Sequence, residues 1–388
     1  MKRICLRSQF SSNSRYNRAV VPTICILALS LFLGGSLWNF SDDQDIWKQA
    51  VPGYVLQFPR DHGSHPEFKI EWWYYTGNLT TTQGVRFGYQ LTFFRIGVDR
   101  HPDNPSRWAI RDLFMTHFAV TNISDRSYRF ADRMNRGGVG WAGASESNYH
   151  VWNYDWEVEA VGKKHRLKAQ SEDIAVDLEL DEGRPPTLHG SQGLSQKGKG
   201  AGNASYYYSL TRMPSRGTMT YLGKPHEVTG LSWMDHEFGT TFLEAEQSGW
   251  DWFSLQLDDG TDVMLFQIRR SDGSRDEHSS GTLISNDREA TVAHLNGFDV
   301  KGSDPWVSPV SGASYPLVWK IDVPSQSLTL TARAAIPNQE LRTEKSTRVT
   351  YWEGAIEVDG LHHGRSVHGR GYLEMTGYGD QPISEKFE

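Results

Sequence analysis

Apolar and polar residues alternate with a period of two along most of this chain, and a 3.6-residue helical rhythm is hard to find. The runs 85–94, 114–121, 175–180, 262–268, 328–332 and 351–358 alternate in this way and are bounded by Gly, Asn, Asp or Pro. With hairpin signals at Asn122-Ile123-Ser124-Asp125 and Asp258-Asp259-Gly260, they predict an all-β protein built of antiparallel sandwiches or barrels. One pattern occurs twice. Trp72-Trp73-Tyr74-Tyr75 leads through Leu79 and a Gly-containing turn to Phe87 and Gln90-Leu91. Trp250-Asp251-Trp252-Phe253 leads through Leu257 and a turn at Gly260 to Met264 and Gln267-Ile268. The echo predicts two related β domains, 41–222 and 223–388, each opening with the same hairpin. The expected linker is Arg212–Pro225, which contains Pro214, Gly217 and Gly223, and Gly190–Asn203 reads as a mobile loop of the first half.

The first forty residues break this rhythm. Lys2, Arg3, Arg7, Arg15 and Arg18 precede an uncharged stretch from Ala19 to Trp38, and no acidic residue occurs before Asp42. A basic flank followed by about 20 apolar residues predicts an export signal or an anchor helix, with the rest of the chain outside the cytoplasm. The expected location is the periplasm, with the chain released by cleavage or held to the inner membrane through residues 19–38. Cys5 and Cys25 both lie in this leader, so the exported part has no thiol for a disulfide, a metal or a nucleophile. Removing the leader's five cations from a net charge of −7 leaves −12, which argues against nucleic acid and anionic membrane surfaces as partners. About 345 exported residues exceed one ordinary core, in keeping with two domains.

Several reaction classes drop out. There is no Gly-x-Ser-x-Gly elbow and no Walker loop. His236-Glu237 begins like a zinc-protease helix, but Thr240 stands where the second histidine should be. No metal or cofactor is expected. What remains is a concentration of ionisable groups among aromatic residues. In Trp233-Met234-Asp235-His236-Glu237-Phe238, an extended strand puts Trp233, Asp235 and Glu237 on one face and His236 on the other. Three titratable groups in an apolar strand are costly to bury without partners. They predict either a catalytic group or a buried structural corner. Glu71 shares a face with Trp73 and Tyr75, and Tyr372 shares one with Glu374.

The segments Glu71-Trp72-Trp73-Tyr74, Leu188-His189-Gly190, Ala204–Ser209, Trp233–Gly239 and Gly371–Tyr378 resemble the lipocalin-like superfamily of AttH proteins and hydroxyneurosporene synthase (carotenoid 1,2-hydratase). The similarity spans about residues 50–380, and the nearest branch is that of predicted secreted hydrolases. The resemblance implies two tandem lipocalin-like β domains with a cavity near their interface. It implies an apolar isoprenoid or lipid as ligand, and hydration of an alkene by acid protonation as the activity. Asp235, His236 and Glu237 are then the candidate catalytic residues. Glu71, Trp73, Tyr74, Trp233, Trp252, Tyr351, Tyr372 and Glu374 are the candidate lining of the substrate site. The competing expectations are a non-enzymatic lipid binder that assists an ABC transporter permease, and a secreted hydrolase.

Overall fold

The structure is a computed structural model, and it describes residues 47–379 apart from 242 and 287–290. The leader and its two cysteines lie outside the described residues. The alternating runs form two antiparallel sheets. The first comprises β1 (Ile70–Thr81), β2 (Arg86–Gly97), β3 (Asp112–Asn122), β4 (Ser127–Arg136), β5 (Ala142–Ala144), β6 (His150–Asn153), β7 (Trp156–Val161), β8 (Lys164–Ser171), β9 (Ile174–Asp181), β10 (Thr187–Leu188), β11 (Leu194–Gln196), β12 (Ala204–Tyr221) and β13 (Lys224–Gly239). The second comprises β14 (Gln247–Leu257), β15 (Asp262–Arg270), β16 (Ser280–Ile284), β17 (Val292–Leu295), β18 (Asp299–Val307), β19 (Ser314–Val323), β20 (Leu328–Ala334), β21 (Glu340–Arg342), β22 (Thr350–His362) and β23 (Arg365–Met375).

The main path of the first sheet is β4-β3-β2-β1-β13-β12-β9-β8-β7-β6-β5, and that of the second is β17-β16-β15-β14-β23-β22-β20-β19-β18. The two orders match strand for strand over nine positions. In each, the opening strand pairs with its hairpin partner on one side and with the last long strand on the other, β1 with β13 and β14 with β23. The repeated aromatic pattern is thus the β1–β2 hairpin and its counterpart β14–β15. Among the described residues no helix is long and apolar enough to cross a membrane.

Two readings of the connections need correction. Residues 212–225 do not link the halves; they are the outer part of the β12–β13 hairpin, which also pairs with β9. Gly217 has φ +145° there, and a Cβ on it would meet Asp177 O, so a residue that reads as a flexible breaker is needed for close strand approach. The change of sheet comes between Gly239 and Gln247, beyond the expected boundary at 222/223. Likewise 190–203 is not a free loop. It contains β11, paired with β12, and Gln247 Nε2 donates to Lys197 O at 2.8 Å.

Alternation gives each half its own core. Trp73, Tyr75, Leu79, Phe87, Leu91 and Met234 fill the first, and Phe253, Leu255, Leu265, Trp319, Trp352 and Leu373 fill the second. The opposite faces of the same strands meet one another, joining Tyr74, Tyr207 and Trp233 to Trp252, Phe266 and Tyr372. A polar clasp closes one end of this interface. Asp262, fully buried, accepts from Arg212 Nε (2.9 Å) and Nη2 (2.6 Å), from Arg184 Nη1 (2.7 Å) and from Thr211 Oγ1 (2.9 Å). Removing one partner of a buried ion pair leaves the other charge uncompensated, at a cost of about 3–5 kcal/mol. Asp262→Ala should therefore lower unfolding stability by about that amount, and Asp262→Asn by less, in urea titrations followed by tryptophan fluorescence. Equal midpoints for Asp262→Ala and the parent chain would show that the clasp contributes nothing.

Candidate active site

The two sheets leave between them a cavity of about 160 Å³, walled by Ile70, Trp72, Tyr74, Phe94, Ile96, Met115, Trp250, Trp252, Phe266 and Val349 among others. The exposed surface of the wall is mostly apolar, and polar groups reach it from Asp235, Glu237, Glu353, Glu374, Lys197, Ser205, Tyr207, His117, Tyr351 and three threonines. Alternation along β1 and β13 decides which expected residues reach it. Trp72 and Tyr74 face the cavity from β1, and Asp235 and Glu237 face it from β13. Trp252, Tyr351 and Glu374 also line it, whereas Trp233 and Tyr372 pack just behind its surface in the same apolar cluster.

His236, Glu71 and Trp73 point the other way, into the first core. Glu71 Oε1 lies 2.9 Å from His236 Nε2 and 2.9 Å from His65 Nδ1, and its Oε2 lies 3.1 Å from Arg95 Nε. Trp73 stacks on His236 with ring centroids 4.9 Å apart. His236 is therefore separated from Asp235 by the thickness of the sheet, and Glu71 and Trp73 do not meet a ligand in this cavity. His62 and His65 are buried in the same network. The ligand atoms of His65, Glu71 and His236 cluster within 4.8 Å, close enough to hold a cation. The charges do not fit one. Burial opposes the charge on His65, but the Asp61 and Glu71 carboxylates overcome it and raise its pKa to about 9. Burial also opposes the charge on Glu71, yet hydrogen bonds from His236 and His65 and the Arg95 charge hold its pKa well below the usual range. The cluster is a neutralised ion network that ties the 60–68 segment to the barrel.

The cavity face of β13 has the opposite character. Asp235 Oδ2 accepts from Tyr207 Oη at 2.6 Å, and Oδ1 accepts from Trp233 Nε1 at 2.6 Å and from Ser209 Oγ. No cation is among its hydrogen-bond partners. Burial raises its pKa to about 7 against the pull of these three donors, with the Glu237 charge adding to the rise. The donors are themselves held. Trp252 Nε1 donates to Tyr207 Oη at 2.9 Å, which joins the second sheet to the site. His189 Nε2 donates to Ser209 Oγ at 2.6 Å, and its Nδ1 accepts from Thr282 Oγ1 at 2.9 Å. That tautomer follows from Ser209 donating its own proton to Asp235, and burial keeps His189 neutral.

Two further carboxyls face Asp235 from the second sheet. Burial raises Glu374 to about 7, against a hydrogen bond from Trp250 Nε1 at 3.0 Å. Glu353 is fully buried; burial and the neighbouring Glu374 charge push its pKa well above the usual range. Its Oε1 and the Tyr74 hydroxyl make no hydrogen bond of full geometry among the described residues, but the two groups are near enough that each shifts the other's pKa. Glu237 differs. Ser205 donates to it, and Lys197 Nζ lies 3.2 Å away, itself 4.0 Å from the Phe266 ring. Tyr351 Oη donates to His117 Nδ1 at 2.7 Å, and His117 Nε2 donates to Ser346 Oγ at 3.0 Å. Ser346 Oγ passes the series on to Asp132 Oδ2 at 2.8 Å. Tyr207, Glu353, Lys197, His189 and His117 were not foreseen as site residues. Tyr207 and Glu353 alternate with core residues in aromatic strands and were legible in principle. The histidines reach the site from segments remote in sequence, His117 from β3 and His189 from just after β10.

The comparisons with known proteins can now be set beside this geometry. A model described as AttH-like matches residues 49–378. The chain belongs to the AttH-like family. The crystal structure of an AttH protein from Nitrosomonas europaea is 32% identical, has a TM-score of 0.77, and covers 86% of this chain and 99% of its own. This AttH-like protein is also similar to a dehydratase, asqC, of Emericella nidulans, 21% identical over 250 residues, or 62% of this chain and 65% of that one. Kievitone hydratase of Fusarium solani subsp. phaseoli is 20% identical over 217 residues, 55% of this chain and 60% of that one. The chain thus spans somewhat under two thirds of the length of either relative. The all-β, lipocalin-like architecture expected from the sequence is that of the family.

A carboxyl whose folded pKa is raised gives stability that is fully present below its unfolded value and lost as pH rises through the folded one. For Asp235 the window runs from 3.8 to about 7, and Glu374 adds to it from 4.5 to about 7. Buried histidines such as His62 and His117, whose pKa values burial lowers to about 4 and about 3, tilt unfolding free energy upward over the same range. The carboxyls add an opposing downward slope, Asp235 contributing up to about 4 kcal/mol. Asp235→Asn should remove much of that slope in denaturant titrations at pH 4, 5.5 and 7.5. An unchanged slope would mean that Asp235 is ionised throughout.

Proposed function

We propose that this AttH-like protein adds water to an isolated alkene of an apolar, isoprenoid-like molecule held between the two sheets. The observation that carries the reading is Asp235, a carboxyl without a cationic partner in the wall of an aromatic cavity. Protonating an alkene carbon requires an acid that keeps its proton near neutral pH, and burial supplies that. The relatives named dehydratase and hydratase support the same class of chemistry.

In this reading the proton leaves Asp235 Oδ2 for the less substituted alkene carbon, and the π pair forms the new C–H bond. The Tyr207 hydroxyl, which already donates to Oδ2, steadies the new carboxylate. The tertiary cation left on the other carbon is flanked by the rings of Trp252 and Tyr74, with the carboxyls of Glu353 and Glu374 opposite. Water adds to the cation, and Glu237, 3.2 Å from Lys197 Nζ, accepts the proton that the water loses. Glu237 and Asp235 share one strand face at a spacing of about 7 Å, so proton return between them through solvent restores the starting state. The sum is alkene plus water to tertiary alcohol, and the reverse run is a dehydration. His236, a candidate catalytic residue from the sequence, has no part in it because it faces the first core.

The same cavity would suit a carrier of apolar molecules. Three buried carboxyls with raised pKa values distinguish the enzyme reading, because a carrier gains nothing from their desolvation cost. The test is incubation with a panel of terminal isoprenoid alkenes in ¹⁸O water, read by mass spectrometry. The expected product carries one added labelled water, and Asp235→Asn should slow its formation by about 10²–10⁴-fold. Binding of the alkenes without any labelled product would sink the reading in favour of a carrier.

A further inference from the structure

One corner of the first sheet exposes residues that a water-facing surface ordinarily avoids. The segment 98–111 after β2 and the turn after β4 bring Trp108 against Trp141, with ring centroids 5.5 Å apart and planes at 80°. Trp141 in turn lies 6.0 Å from Tyr154. The three are 57%, 40% and 53% exposed, and Val98, Ile110 and Met134 are exposed with them. The corner is held in shape by arginines. Arg136 Nη1 donates to Trp108 O, and Arg107 Nε donates to Gly138 O at 3.3 Å. Arg100 and Arg111 lie in the same segment, where Asp99 and Asp103 are the acidic residues. Asp155, next to Tyr154, is paired with Arg133 at 2.6 Å.

We propose that this corner docks on an anionic lipid surface, with the Trp and Tyr rings at headgroup level and the arginines on lipid phosphates. Exposed aromatic residues beside arginines are the composition of bilayer interfaces. The net charge of −12 argues against an anionic surface for the molecule as a whole. At this corner, however, Arg100, Arg107, Arg111 and Arg136 outnumber Asp99 and Asp103, and with fields screened within about 10 Å the local excess governs contact. A sugar-binding surface is less well matched, because rings meeting edge to face offer no flat platform and their neighbours are aliphatic.

Two further observations point to a membrane. Trp47, the first described residue, lies so close over Gly97 that any side chain there would collide with it, and the Arg100 guanidinium stands 5.5 Å from the Trp47 ring. The apolar run ends at Trp38, nine residues earlier, so a leader retained in the bilayer would tether the base of this corner within about 30 Å of it. The corner also adjoins the cavity wall. Ile96, just before Gly97, lines the cavity, and Met134 is the cross-strand partner of Met115, which lines it too. A docked protein would present its cavity beside the phase in which apolar molecules dissolve. The proposal does not depend on the hydration chemistry.

The test uses the full chain with Cys5→Ser and Cys25→Ser, reconstituted in phosphatidylcholine vesicles with and without phosphatidylglycerol. A nitroxide placed through Ile110→Cys reports on the corner, and one through Val310→Cys, 59% exposed in the β18–β19 connection, is the control. With phosphatidylglycerol present, access of an aqueous nickel chelate to position 110 should fall several-fold while position 310 stays open. Arg107→Glu with Arg136→Glu, or Trp108→Ser with Trp141→Ser, should restore access. Equal access at both positions in the vesicles would overturn the proposal. So would protection of position 110 already in lipid-free detergent solution, which would assign the corner to a second copy of the chain.

Discussion

Two paired strands, β1 and β13, separate a charged, fully neutralised interior from an apolar cavity, and the period of two lets them do both at once. Along β13 the side chains pass alternately to the two sides, so Asp235 and Glu237 enter the cavity while Met234, His236 and Phe238 enter the barrel. Along β1 the same rule sends Tyr74 one way and Glu71 the other. A shift of one residue in this register would exchange the two environments, moving charges held by Arg95 and His65 into a cavity lined with indoles. The aromatic density of both strands fixes the register, since Trp73 stacks on His236 on one side and Tyr74 meets Trp252 on the other.

The two faces show how environment sets the behaviour of similar groups. Glu71 and Asp235 are both buried carboxyls, and each accepts several hydrogen bonds. Arg95 and two histidines serve Glu71, whereas Asp235 receives only neutral donors. Burial wins where there is no cation and loses where there is one. The first carboxyl is therefore a charged strut, and the second is pushed toward its neutral form.

Much of this was legible in the chain. Alternation gave the fold class, the repeated aromatic hairpin foreshadowed two sheets with matching strand order, and the split of Asp235 from His236 followed from counting residues. Other features escaped for physical reasons. The stretch 212–225 carries Pro and Gly, but Gly217 serves close backbone approach, and pairing with β9 and β13 on either side overrides local breakers. His62 and His65 sit in a polar segment, and the Tyr208 hydroxyl beside His62 and the Glu71 carboxylate beside His65, both brought there by tertiary packing, make their burial tolerable. The relays through His189 to Thr282 and through His117 to Ser346 cross from one sheet to the other, so no local spacing announces them.

The closure of each sheet, opening strand against last long strand, also constrains how the molecule is made. Ile70 pairs with Gly239, so β1 can complete its hydrogen bonding on both sides only after the whole first half has been synthesised. Contacts so distant in sequence form slowly, because a long loop must close before they are rewarded. Until then a strand rich in tryptophan and tyrosine has one open edge, the kind of surface that recruits other chains. The interval between the emergence of β1 and that of β13 is therefore the stage at which this chain is most exposed to mispairing.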